Sequence, residues 1–131
     1  MSKITHLAGN SLAGLPLSEL APKLAVVFPN VICFTLSYFA NTPGDLAALA
    51  HFKDLKKLVN GGTIKDEAWP GMLDLRDLQA YRAMKDGISD VALETLAKLK
   101  KLKSLRYGTK APDAAAMTAF KKQRPDVKVE P

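Results

Sequence analysis

A short motif recurs along this chain at an interval too even for a set of unrelated elements. Its copies begin Ile4-Thr5-His6-Leu7, Val31-Ile32-Cys33-Phe34, Leu55-Lys56-Lys57-Leu58, Leu78-Gln79-Ala80-Tyr81 and Leu102-Lys103-Ser104-Leu105, with a truncated last copy Val127-Lys128-Val129. The starts are 27, 24, 23, 24 and 25 residues apart. A period of roughly 20–50 residues is the mark of a stack of like units, none of which can bury its own apolar side alone.

Each unit reads as one short strand followed by one helix. Apolar residues occupy the first, fourth and sometimes sixth motif positions, as in Val31, Phe34 and Leu36, or Leu102, Leu105 and Tyr107. Polar or basic residues fall between them, a locally alternating pattern. The helix is clearest after Asp90, where Ala92, Leu93, Leu96 and Leu99 share one face. Asp90 is expected to be the N-cap, with Asp66 and Asp113 in the matching places of their own units. After Asp66, the residues Ala68, Trp69, Met72 and Leu75 fall on one face again. Pro70-Gly71 interrupts that segment, which should therefore be short or irregular. Stacked units would align their strands into one parallel sheet of about six strands, roughly 24 Å across at ~4.8 Å per strand. The interval between motifs is long enough for the crossover that parallel strands need.

These residues resemble the leucine-rich-repeat family, with Leu-type residues at motif positions one, four and six. Gly62-Thr63-Ile64-Lys65-Asp66-Glu67-Ala68-Trp69 and Gly87-Ile88-Ser89-Asp90-Val91-Ala92-Leu93 are similar to the "G-T-x-I-T-D-x-G-L" segment of bacterial repeats of the cysteine-containing and ribonuclease-inhibitor-like subclasses. The ending Arg124-Pro125-Asp126-Val127-Lys128-Val129 is similar to the way such proteins often end. The likeness is strongest over Asp45–Pro131 and weaker over Met1–Asn41. It implies an α/β fold: a short solenoid, residues 1–131 as one domain, strands on a concave face and helices on a convex one. It also implies a binding scaffold whose partner varies from member to member. This sequence departs from the pattern in two ways. The sixth position is Gly9, Asn60 and Ala83 in three units, and the ninth, read as Leu12, Phe39, Thr63, Asp86 and Lys110, has no asparagine ladder.

The chain has 131 residues, 47% hydrophobic and 24% charged, enough for a sizeable core. Its single cysteine, Cys33, cannot form an internal disulfide. The first residues lack a basic stretch followed by an apolar run, so no cleaved signal peptide is expected, and a cytoplasmic location is. The apolar stretch Leu24–Ala40 is broken by Pro29-Asn30 and reads as a helix end, a turn and a buried strand, not a membrane span.

Residues with chemical potential are few. His6 is expected at an exposed strand position and His51 near the end of the helix before Phe52, too far apart to share a metal. Cys33 is expected at an exposed strand position, one strand from His6, which raises the question of a nucleophile and base. A small, partly buried, weakly polar side chain is the plainer reading. Gly61-Gly62 lacks a nucleotide-loop pattern and reads as the turn leaving the third strand. Asp74 and Asp77 are expected to face solvent, and Trp69 to sit in the core. No cofactor, no metal and no catalytic residue is expected, so the chain is read as not an enzyme.

Binding remains, on the concave face. Motif positions two, three, five, seven and eight place Thr5, His6, Ala8, Asn10 and Ser11 there. The second unit adds Ile32, Cys33, Thr35, Ser37 and Tyr38, and the third Lys56, Lys57, Val59, Gly61 and Gly62. Gln79, Ala80, Arg82, Met84 and Lys85 follow, then Lys103, Ser104, Arg106, Gly108 and Thr109, and last Lys128 and Glu130. Seven of these are basic and one is acidic, against 19 and 13 in the whole chain, so the face is more cationic than the molecule. The expected partner is a protein with an acidic surface, docked on Ile32, Tyr38, Lys56, Lys57, Arg82, Lys85, Lys103 and Arg106. The alternative is nucleic acid or another polyanion on the same basic stripe. That reading lacks the interleaved aromatics of single-strand binders. The net charge of +6 suits either.

Overall fold

The computed structural model describes residues 4–9, 16–37, 39–84 and 87–131. In chain order the elements are β1 (His6–Gly9), α1 (Leu17–Val27), β2 (Cys33–Leu36), β3 (Phe39–Ala40) and α2 (Pro43–Ala47), which runs on as a 3-10 turn (Ala48–His51). There follow β4 (Lys57–Asn60), β5 (Thr63–Ile64), a 3-10 helix (Asp66–Asp74), β6 (Ala80–Ala83), α3 (Asp90–Leu96), β7 (Ser104–Arg106), α4 (Ala114–Gln123) and β8 (Lys128–Glu130). The molecule is thus α/β, with a parallel sheet of six strands in the order β1-β2-β4-β6-β7-β8. β3 and β5 form a separate parallel pair.

Backbone hydrogen bonds reproduce the period of the motif. The second-position amides of Ile32, Lys56, Gln79 and Lys103, and the amide of Lys128 opposite Ser104 in the last strand, each donate to the second-position carbonyl of the preceding strand, at 2.7, 2.8, 2.7, 2.7 and 2.8 Å. The chain of acceptors is Thr5, Ile32, Lys56, Gln79 and Lys103, one per motif. A second recurrence precedes each later strand. The amides of Leu55, Leu78, Leu102 and Val127 each turn back to the carbonyl three residues earlier, at 3.1 to 3.2 Å. Each first-position side chain is thereby aimed inward just before its strand begins.

Alternation then divides the sheet into two faces. Phe34, Leu36, Leu58, Tyr81, Ala83 and Leu105 are buried on one face, in a core cluster with Leu17, Leu46, Leu49, Trp69, Met72, Leu93, Leu96 and Phe120 from the helices. The strand register read from sequence is the observed one through β7; in β8 Lys128 pairs with Ser104 and Val129 with Leu105, one position later than a start at Val127 gives. Trp69 and Tyr81 meet edge to face, centroids 5.4 Å apart. Asn60, apolar in the general motif, is buried with its amide spent: Nδ2 donates to the Tyr81 hydroxyl at 3.1 Å, and Oδ1 accepts from the Gly62 amide at 3.1 Å.

Two cap assignments need correction. α3 is capped by Ser89, not Asp90: the Ser89 hydroxyl accepts from the Ala92 amide at 3.2 Å, while Asp90 is already helical. Asp66 is not a cap either. Lys65 occupies that place without a side-chain bond, and the Asp66 carboxylate instead accepts the Ser89 hydroxyl proton at 2.9 Å, bracing the next unit's cap. Asp113 does cap α4, accepting from Ala115 and Ala116 at 3.1 and 3.2 Å. The segment holding Pro70-Gly71 is indeed irregular, a 3-10 helix throughout. Leu24–Ala40 divides as expected into the end of α1, a turn at Pro29-Asn30, and β2. Among the described residues no helix is long and apolar enough to cross a membrane.

Candidate binding surface

Register aligns the side chains of the open face in two rows. The third-position row is His6, Cys33, Lys57, Ala80, Ser104 and Lys128. The fifth-position row is Ala8, Thr35, Val59, Arg82, Arg106 and Glu130. Neighbours within a row lie one strand apart, about 4.8 Å between backbones. Arg82 and Arg106 are therefore direct cross-strand partners. Lys56, Gln79 and Lys103 share the second-position ladder that borders these rows.

Of the eight residues expected to bind a partner, Lys57, Lys103 and Arg106 are exposed, Ile32 is 39% exposed, and Lys56 and Arg82 are half-buried. Tyr38 and Lys85 lie outside the described residues. The structure therefore brings Lys56, Lys57, Arg82, Lys103 and Arg106 onto adjoining strands, with Ile32 at the neutral end.

The stripe is less bare than its composition implies. Arg106 faces Glu130 across the register, and its Nε donates to the carbonyl of Pro131 at 3.4 Å. Glu130 also pairs with Lys128 at 2.9 Å. That hydrogen bond, with the charge of Lys128 and more weakly of Arg106, holds the Glu130 carboxyl below its ordinary pKa. Asp77 binds Lys101 at 2.6 Å, and Lys56 adds a smaller attraction; its carboxyl is likewise lowered, first by the Lys101 hydrogen bond. Arg82 and Lys57 make no ion pair among the described residues.

Cys33 is buried, against the exposed strand position read for it and in line with the plainer reading of a partly buried side chain. It retains 9% of its surface, because a short side chain between the longer His6 and Lys57 of the flanking strands is shaded by them. Burial raises its thiol pKa, with Lys57 opposing. A raised pKa disfavours the thiolate that nucleophilic chemistry requires. His6 does sit beside Cys33 in register, but its Nδ1 is hydrogen-bonded to the Thr5 hydroxyl at 2.9 Å. His51 closes the 3-10 turn after α2, and no metal-ligand cluster occurs among the described residues.

Two polar groups escaped the sequence reading. Asp45 is 5% exposed and accepts from the amides of Asn41 and Thr42 at 3.0 and 3.2 Å and of Ser18 at 3.3 Å, tying α2 to α1. Thr42, three residues earlier, was its only local signal, as a capping box. Arg124 donates to the carbonyls of Ala97, Leu99 and Leu102 at 3.1, 2.6 and 3.0 Å, and to Asp126 at 2.8 and 3.0 Å. No sequence signal marks those carbonyls as acceptors.

Compared with known proteins, the chain matches no family model, and no match is found among curated proteins.

Proposed function

We propose that this chain is a leucine-rich-repeat solenoid acting as a non-catalytic scaffold, whose concave sheet face binds a protein with an acidic surface in the cytoplasm. The observation that supports this most is the register pair Arg82–Arg106 on the sheet face opposite the core cluster. Like charges directly opposite on neighbouring strands repel. Carboxylates from a partner relieve that repulsion, and the guanidinium fork grips them bidentately. The equality between strand order and sequence order, and one ladder bond per motif, favour the solenoid. Arg82 carries more of the interaction than Arg106, because Glu130 already stands beside Arg106.

The test is capture of a partner on immobilised full-length protein, followed by titration against an Arg82→Glu, Arg106→Glu variant. Loss of one charge-assisted contact should weaken binding roughly tenfold or more. A folded variant that binds as tightly as the parent refutes the reading. Retention on heparin or RNA that falls steeply with salt and shows no partner selectivity would assign the face to polyanions instead.

A further inference from the structure

A second charged surface lies outside the two rows. Between α3 and β7 runs Lys98-Leu99-Lys100-Lys101-Leu102-Lys103, four lysines in six residues with no acid among them. Leu99 and Leu102 are 3% and 1% exposed, so the segment is anchored by its apolar residues while all four lysines are exposed. Only Lys101 has an ion pair, to Asp77; Lys98, Lys100 and Lys103 have none among the described residues.

The backbone beneath these lysines is held from below. Arg124 binds the carbonyls of Ala97, Leu99 and Leu102, and the Leu102 amide turns back to Leu99 at 3.2 Å. A ligand meeting this ridge need not order it, which removes one of the larger costs of binding. Beside the ridge is a groove lined by Leu73, Arg76, Asp77, Lys98, Leu99, Lys100 and Lys101, in which the Asp77 carboxylate is held by Lys101 at 2.6 Å. Leu73 is 36% exposed there, so the groove offers an apolar patch within a rim whose one acid, Asp77, is paired with Lys101, leaving Arg76, Lys98 and Lys100 as its cations without an ion pair among the described residues.

We propose that this ridge and groove form a second docking surface, for an acidic protein segment that seats one apolar side chain on Leu73 between carboxylates bound by Lys98 and Lys100. The charges call for an anion, and the apolar patch selects its class. A phosphate backbone would meet the lysines but would have no apolar group for the patch, whereas a peptide supplies both. The ridge meets the open face only at Lys103, and the inference stands independently of the function proposed for that face.

The experiment measures fluorescence anisotropy of three labelled probes with the full chain. The first is a peptide of glutamate pairs flanking a central leucine, the second an all-glutamate peptide of equal charge, the third a single-stranded DNA oligomer. The leucine peptide should bind at least about fivefold tighter than the all-glutamate one, the effect of one seated apolar side chain. Lys98→Glu with Lys100→Glu should weaken the leucine peptide at least about tenfold, and Arg82→Glu less than about twofold. Leu73→Ser should erase the difference between the two peptides while leaving all-glutamate binding unchanged. All four substituted positions are exposed or partly exposed, and circular dichroism verifies the fold of each variant. The proposal is overturned if the two peptides bind equally, if the oligomer binds tighter than both, or if the Lys98→Glu, Lys100→Glu variant binds the leucine peptide like the parent.

Discussion

The guanidinium of Arg124 does more for this fold than any other single polar side chain described above. It is 12% exposed and donates to three carbonyls, of which that of Leu99 also accepts the Leu102 amide. Removing it leaves those carbonyls poorly partnered, a cost of about 1–3 kcal/mol. Arg124→Lys should recover little of this, since one ammonium cannot copy a planar fork aimed at several acceptors. Urea denaturation of Arg124→Ala and Arg124→Lys measures both, and a midpoint within error of the parent would show the clamp to be idle. Leu105→Ala should cost about 2–5 kcal/mol in the same assay, as Leu105 is fully buried at a fourth motif position. The two residues differ in how far sequence exposed them. Leu105 was legible because burial of an aliphatic side chain repeats with the motif, whereas the partners of Arg124 are backbone carbonyls, which every residue has. Acid sensitivity belongs to this scale too. The carboxyls of Asp77, Asp126 and Glu130 are all lowered, each first by a hydrogen bond from a basic side chain. Depressed carboxyls stabilise the fold above their unfolded pKa of about 4 and lose that contribution as pH falls through the folded value. Thermal midpoints should therefore be flat from about pH 7 to 5 with respect to these groups, and fall only below about pH 4. All three carboxyls are solvent-exposed, so the fall they cause is small.

Elements in this chain are shaped by how closely neighbouring units approach. The 3-10 helix Asp66–Asp74 packs on α2, and a Cβ on Gly71 would run into the backbone carbonyl of Pro43. Glycine is present there for want of space, not for a turn. The sequence marked Pro70-Gly71 as a break in helical propensity; the contact that demands it joins residues far apart in the chain and leaves no local trace. The caps followed the same rule. Asp113 was read correctly from its own helix, but Asp66 serves Ser89 of the next unit, a contact set by stacking. Gly71→Ala should destabilise by about 1–3 kcal/mol, because backbone cannot yield as a side chain can. Gly44→Ala is the control: it lies in α2 with only an ordinary 3.7 Å contact to the Thr42 hydroxyl, and the gain in helix propensity makes it neutral or slightly stabilising. Thermal unfolding of the pair should give shifts of unlike size, and equal shifts would mean that helix propensity alone governs both sites.

At the scale of the whole molecule, the strands of the described six-stranded sheet lie side by side in chain order, so stability should vary from the middle of that sheet to its edges. The period of the motif was enough to foresee six parallel strands, since one register repeated along the chain leaves few other ways to bury the fourth positions. The balance of charge on the open face was not foreseeable in the same way. Glu130 and Asp77 offset cations that lie next to them only after the units stack. The amides that bond the second-position carbonyls provide five reporters of stability, those of Ile32, Lys56, Gln79, Lys103 and Lys128. Those of Lys56, Gln79 and Lys103 join strands that are themselves paired on both outer sides or one strand from the edge. The Ile32 amide depends on β1 and the Lys128 amide belongs to β8, and in the described sheet both strands have a partner on one side only. Detaching either edge strand frees the bonds to a single neighbouring strand and a small part of the core, while freeing the Gln79 amide requires the sheet to part at its centre. Native-state hydrogen exchange should therefore be slowest at Gln79, and faster at Ile32 and Lys128 by roughly tenfold or more, one decade for each ~1.4 kcal/mol of lower opening free energy. Equal protection at all five amides would mean that the units open only together, and that the edges are as firmly held as the centre.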